Sequence, residues 1–137
     1  MEPCTRGLEI MDSHKPRALV IDGEEPIRQM IARVLARDGF VVEAASDGHE
    51  AIKMLDRGGY DFVVLDLMMP RVDGFGVLRH LKESHPELLP NVLVATAMYP
   101  NSETFPHIAG VLHKPFDLGD LRGYARQFHP SPQDLPA

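Results

Sequence analysis

Tyr60-Asp61-Phe62-Val63-Val64-Leu65-Asp66-Leu67-Met68-Met69-Pro70 is the stretch on which the fold turns. From Asp61 to Leu65 it reads as a strand, and the apolar run Phe62 to Leu65 has no polar alternation, as expected when both faces are buried in a parallel sheet. It stops abruptly at Asp66. Upstream, Ala18-Leu19-Val20-Ile21 repeats the pattern and ends on Asp22-Gly23. Between these runs, Pro26 suits a first helical turn, and Ile27, Met30, Ile31, Val34 and Leu35 recur at helical spacing up to Gly39. Phe40 to Ala45 reads as a further strand. Ala51, Ile52 and Leu55 then give a short helix that ends before Gly58-Gly59.

Downstream, a loop through Pro70 and Gly74 leads into a helix carrying Val77, Leu78 and Leu81, and Pro86 and Pro90 break the chain after it. Asn91 to Ala95 is a strand with Thr96 at its end. Ala109 to Leu112 is a shorter one, followed by His113-Lys114-Pro115. Asp117 caps a last helix with the stripe Leu118, Leu121, Ala125 and Phe128. Strands alternating with helices imply right-handed βαβ units, hence an α/β fold with a doubly wound parallel sheet covered on both faces. Residues 1–15 are expected to be a leader, 16–129 the domain, and 130–137 a proline-marked tail.

The 137 residues suit one domain. A net charge of −6 lacks the basic excess that nucleic-acid binding needs. With 44% hydrophobic and 25% charged residues, the chain can bury an ordinary core. The single cysteine, Cys4, allows neither an internal disulfide nor a thiolate metal site, so a cytoplasmic setting is expected. No apolar run approaches the ~18 residues of a membrane span, and no secretory signal is expected at the start of the chain.

In a doubly wound sheet, ligands sit beyond the carboxyl ends of the strands. The residues there are Asp22, Asp66, Thr96 and Lys114. Two unit charges of like sign 4 Å apart repel by roughly 4 kcal/mol at an effective dielectric of 20. A hard cation such as Mg²⁺ would offset that repulsion and accept a phosphoryl oxygen as co-ligand. Asp66 could then attack phosphorus as a carboxylate nucleophile, Lys114 neutralising charge and Thr96 donating a hydrogen bond.

These residues resemble the receiver domains of two-component response regulators. The resemblance spans about Pro16 to Phe128. It rests on Leu19-Val20-Ile21-Asp22 with Glu24-Glu25-Pro26-Ile27-Arg28, on Tyr60 to Pro70 with Asp73-Gly74, on Thr96-Ala97, and on His113-Lys114-Pro115-Phe116. It implies a flavodoxin-like sheet of order 2-1-3-4-5 and a stand-alone response regulator rather than an enzyme. A histidine kinase or phosphotransfer protein would donate the phosphoryl group to Asp66, and a separate downstream protein would read the result. Thr96 would bind the phosphoryl group and Lys114 would pair with it. Asp22, Asp66 and the backbone carbonyl of Met68 would hold Mg²⁺. The Lys114-Pro115 bond would be cis. Neither nucleic acid nor membrane is an expected partner, and the chain is expected to be a monomer or weak dimer.

The sequence departs from the family at several positions. Where the family has a second acid after the first strand, this chain has Gly23, which implies weakened Mg²⁺ binding, compensation by Glu24 or water, or a receiver free of phosphorylation. Val111 stands where the family's rotating aromatic would be. Pro100, Pro106 and Gly110 make the helix between the fourth and fifth strands short or irregular. In the family, the positions two beyond the acceptor aspartate and two beyond the threonine flank the path of attacking water; here they are the apolar Met68 and Met98, which implies slow self-dephosphorylation. The histidines, His80, His85, His107 and His113 among them, show no metal-ligand spacing and are expected on the surface or in packing. Two alternatives are a phosphorylation-independent pseudo-receiver and a small aspartyl-phosphate phosphatase; Met68 occupies the second acid position that the phosphatase needs.

Overall fold

The computed structural model describes residues 15–69, 71–97 and 107–129. The order is β1 (Arg17–Ile21), α1 (Glu25–Arg37), β2 (Val41–Ala45), α2 (Gly48–Arg57), β3 (Phe62–Leu65), α3 (Gly74–Ser84), a 3₁₀ helix (Pro86–Asn91), β4 (Val92–Thr96), β5 (Gly110–His113) and α4 (Leu118–Arg126). The strands form one parallel sheet in the order β2-β1-β3-β4-β5. Both the α/β class and the 2-1-3-4-5 order match the expectation.

Side chains of a strand alternate between faces, so each central strand feeds two cores. Leu19, Ile21, Val63, Leu65, Val92 and Val94 pack beneath α2 and α3, against Ala51, Leu55, Val77 and Leu81. Ala18, Val20, Phe62, Val64, Leu93 and Ala95 pack beneath α1 and α4, against Ile31, Leu35, Leu121 and Ala125. That is why Phe62 to Leu65 carries no polar residue. Phe62 stacks on Phe128 at 5.2 Å between ring centroids, so the last apolar position of the C-terminal stripe closes the second core.

The helix starts are built locally. Asp47, Asp73 and Asp117 are N-caps whose carboxylates accept backbone N–H bonds from Glu50 (2.8 Å), Gly76 (3.1 Å) and Gly119 (2.8 Å). Asp38 is the C-cap of α1, and Gly39 follows with φ +102°, a conformation that favours glycine.

At the amino end of β1 a polar network crosses strands. The Arg17 guanidinium bonds Glu43 at 2.6 Å, Glu43 accepts the Tyr60 hydroxyl at 2.6 Å, and the Arg17 Cζ lies 4.8 Å from the Tyr60 ring centroid. Burial, then the bond to Glu43, pushes the Tyr60 phenol up to about 12.

β3, β4 and β5 each begin one residue later than expected, at Phe62, Val92 and Gly110, and two further regions differ from the sequence expectation. Phe40 lies outside β2: its N–H bonds to the Leu35 carbonyl at 3.0 Å and its ring is buried, so it closes the end of α1 instead. The proline-broken segment folds as the 3₁₀ helix, with Pro86 in its first turn, Pro90 inside and Leu89 buried. Residues 1–14, the tail from 130 onward, and residues 98–106, where the short or irregular helix was expected, lie outside the described residues. No helix among the described residues is long and apolar enough to cross a membrane.

Candidate functional site

Register places the acids. Ile21 pairs with Leu65, so Asp22 and Asp66 leave the sheet side by side, and the Asp66 N–H bonds to the Ile21 carbonyl at 2.9 Å. Leu65 pairs with Val94, which sets Thr96 one residue past the level of Asp66 on the adjacent strand. Thr96 pairs with His113, and the Lys114 N–H bonds to the Thr96 carbonyl at 2.8 Å. Asp22, Asp66 and Thr96 are the only buried polar or charged residues among those described. The Lys114-Pro115 bond is cis.

The side chains converge on one ammonium. Lys114 Nζ donates to Asp22 Oδ2 at 2.7 Å, to Glu24 Oε1 at 3.3 Å and to Asp66 Oδ2 at 3.4 Å. Each buried carboxylate also accepts a backbone donor: Asp22 Oδ1 takes the Glu24 N–H at 2.8 Å, and Asp66 Oδ1 takes the Met68 N–H at 3.2 Å. The second bond folds the chain after Asp66 back on itself, keeping the Met68 backbone at the site while its side chain faces solvent. Gly74, at the start of α3, meets the same loop; a Cβ there would lie 2.3 Å from the Asp66 carbonyl oxygen, so only glycine fits.

Burial raises the Asp22 carboxyl above its usual range, and the bond from Lys114 offsets this only in part. Burial pulls the Lys114 ammonium down, but the bond and charge of Asp22, with those of Asp66 and Glu24, outweigh it and leave the ammonium raised. Three carboxylates facing one ammonium leave a surplus of negative charge. Ligand oxygens of Asp22, Glu24 and Asp66 lie within 4.8 Å of one another, a hard-donor set that suits a divalent cation such as Mg²⁺.

Of the residues singled out in the sequence, Asp22, Asp66 and Lys114 come together, Met68 meets Asp66 through its backbone N–H, and Thr96 lies at the adjacent strand end. Glu24, named there as one source of compensation, reaches the site because the Asp22 side chain bonds its backbone N–H and turns the chain inward. Gly23 is exposed, and Val111 is an exposed β5 residue. Met98 lies outside the described residues. His80 and His85 both reach Asp56 Oδ1, at 2.7 and 2.8 Å, because α3 ends between them and His85 leaves helical geometry at φ −139°, ψ 56°.

Residues 18–126 match the family model described as the response regulator receiver domain. The response regulator MprA of Mycobacterium leprae (strain TN) is 39% identical over 112 residues, covering 77% of this chain and 47% of that protein. MprA of Mycolicibacterium vanbaalenii is also 39% identical over 112 residues, with 77% and 46% covered. The chain thus spans about half the length of the curated relatives it matches. Among solved structures, response regulator protein TrrA from Thermotoga maritima, in complex with Mg(2+)-BeF, superposes with a TM-score of 0.74 at 26% identity, covering 82% of this chain and 98% of that one. Chemotaxis protein CheY4 of Vibrio cholerae gives a TM-score of 0.71, likewise at 26% identity over 82% and 98% of the two chains. Sheet order, acids paired at adjacent strand ends and sequence agree: the chain belongs to the response regulator receiver domain family.

Proposed function

We propose that Asp66 accepts a phosphoryl group from a histidine kinase or phosphotransfer protein, and that the phosphorylated domain signals through contacts with another protein. The observation that carries this is the buried Asp66 carboxylate at the end of β3, held by the Met68 N–H and facing Lys114 within a set of surplus carboxylates. An Asp66 oxygen bonds to phosphorus as the P–N bond to the donor imidazole breaks. The imidazole leaves with that electron pair and retains its proton on the other ring nitrogen. Lys114, already bonded to Asp66, follows the transferred charge, and Thr96 donates its hydroxyl to a phosphoryl oxygen. Asp22, Asp66 and the Met68 carbonyl would hold Mg²⁺, with Glu24 supplying the acid that Gly23 lacks. When bound, the ion neutralises phosphoryl and carboxylate charge together. The similar protein TrrA was solved with Mg(2+)-BeF, which supports this assignment.

The test is intact-mass measurement after incubation with a small phosphodonor and Mg²⁺. One added phosphoryl group on the native chain, absent from Asp66→Ala, is the expected result. No label at saturating Mg²⁺, with Gly23→Asp restoring it, would overturn the proposal. It would favour a phosphorylation-independent binding module, the reading to which the bare Gly23 position points.

A further inference from the structure

Asp56, His80 and His85 lie away from the proposed phosphoacceptor. α2 and α3 each begin beside the carboxyl ends of the strands and run back antiparallel to them, so Asp56, in the last turn of α2, and His85, the C-cap of α3, sit toward the opposite edge of the sheet. Their ligand atoms all lie within 4.8 Å of one another. We propose that these three side chains form a second metal site, selective for a late divalent transition ion such as Zn²⁺.

The geometry goes beyond an ordinary surface ion pair. Two imidazoles aim the same atom, Nε2, at a single oxygen, Asp56 Oδ1, at 2.7 and 2.8 Å. Their rings meet edge to face, 5.7 Å between centroids and 63° between planes, so the nitrogens converge while the rings stay apart. Tetrahedral Zn²⁺ with bonds near 2.0–2.1 Å sets its ligand atoms about 3.3 Å apart. Each nitrogen–oxygen distance therefore needs to open by only about half an ångström, within reach of side-chain rotation. Side-chain exposures of 25% for His80, 26% for His85 and 51% for Asp56 leave a path for the ion and an outer position for water. Asp56 and His80 stand on helices locked into one core through Leu55, Val77 and Leu81, which fixes their spacing before any ion arrives.

Donor chemistry separates the two sites. Asp22, Glu24 and Asp66 offer only hard oxygens, whereas imidazole nitrogen favours Zn²⁺, Ni²⁺ or Cu²⁺ over Mg²⁺. Coordination through Nε2 requires the proton that now bonds Asp56 Oδ1 to leave that nitrogen, each neutral ring taking its proton on Nδ1 by exchange with water, so the bonds now made to Asp56 are exchanged for metal bonds. Bound metal would tie the end of α2 to the end of α3.

The experiment is equilibrium dialysis of the full chain against Zn²⁺ with Mg²⁺ in large excess, which keeps the all-oxygen site occupied. One Zn²⁺ per chain is expected, with affinity falling roughly tenfold or more in both His80→Ala and His85→Ala. Far-UV circular dichroism checks that each variant is folded, and the isosteric Asp56→Asn provides a third, minimally disruptive loss of a ligand. Absence of Zn²⁺ binding under these conditions overturns the proposal. So does binding that survives unchanged in both histidine variants, since another site would then be responsible.

Discussion

Strand β1 has a polar cluster at each end, and two acids of the same chemistry behave oppositely in them. At the amino end, the Tyr60 hydroxyl and the Arg17 guanidinium hold the Glu43 carboxyl below its usual range. At the carboxyl end, burial holds the Asp22 carboxyl above it despite Lys114. The amino-end cluster closes on itself: Arg17 spends its donors on Glu43 and on the Gly58 and Gly59 carbonyls, and its backbone N–H goes to Asp61. The carboxyl-end cluster does not close, because three carboxylates share a single ammonium. A polar cluster that satisfies itself holds strands together. One left with surplus charge at the ligand-binding edge of the sheet is prepared for something that arrives from outside.

The comparison breaks most visibly at Lys114. Lys114→Met leaves Asp22 and Asp66 buried without their shared cation, and should cost about 3 kcal/mol in urea denaturation, part of it regained on adding Asp22→Asn. A cost below about 1 kcal/mol would mean that the carboxylates are relieved by water and that the contrast is false.

A smaller effect sharpens the assignment of the surplus. Gly23→Asp should tighten Mg²⁺ binding roughly tenfold, a change of about 1.4 kcal/mol. Glu24→Gln should weaken binding in the parent chain yet do little in the Gly23→Asp background, since one role would already be filled. Equal losses in the two backgrounds would show that Glu24 does not stand in for the missing acid.

The smallest effect lies at the closed end. The folded phenol of Tyr60 titrates at about 12 against an ordinary 10.0, so the fold favours its neutral form. That contribution is complete below the unfolded value and is lost as pH rises from about 10 to about 12. Tyr60→Phe should flatten this alkaline limb of the stability curve and leave Mg²⁺ affinity untouched. An unchanged limb would place the titration elsewhere.

Much of this was legible in the sequence because burial on both faces writes itself as unbroken apolar runs. Phe62 to Leu65 ending at Asp66 located a central strand and its terminal acid together, and the Asp22 and Thr96 positions followed from the same rule, whereas Lys114 follows an edge strand whose Val111 is exposed. What stayed hidden depends on tertiary angles. Glu24 reaches the site through a two-residue side-chain turn, where spacing alone equally permits a helix-start acid facing solvent. His80 and His85 are five residues apart, a poor match for one helical face, and meet only because the helix stops at Ser84. Their third partner, Asp56, lies on another helix. The prolines at 86 and 90 signalled a break without revealing that Leu89 would be buried and the break wound into a turn.

Gly74 carries a mechanical consequence. Since its missing side chain lets the start of α3 rest on the Asp66 carbonyl, backbone touches backbone with no rotamer between them to absorb displacement. A shift of the Asp66 loop toward α3 would therefore meet backbone, with no side chain between the two to yield.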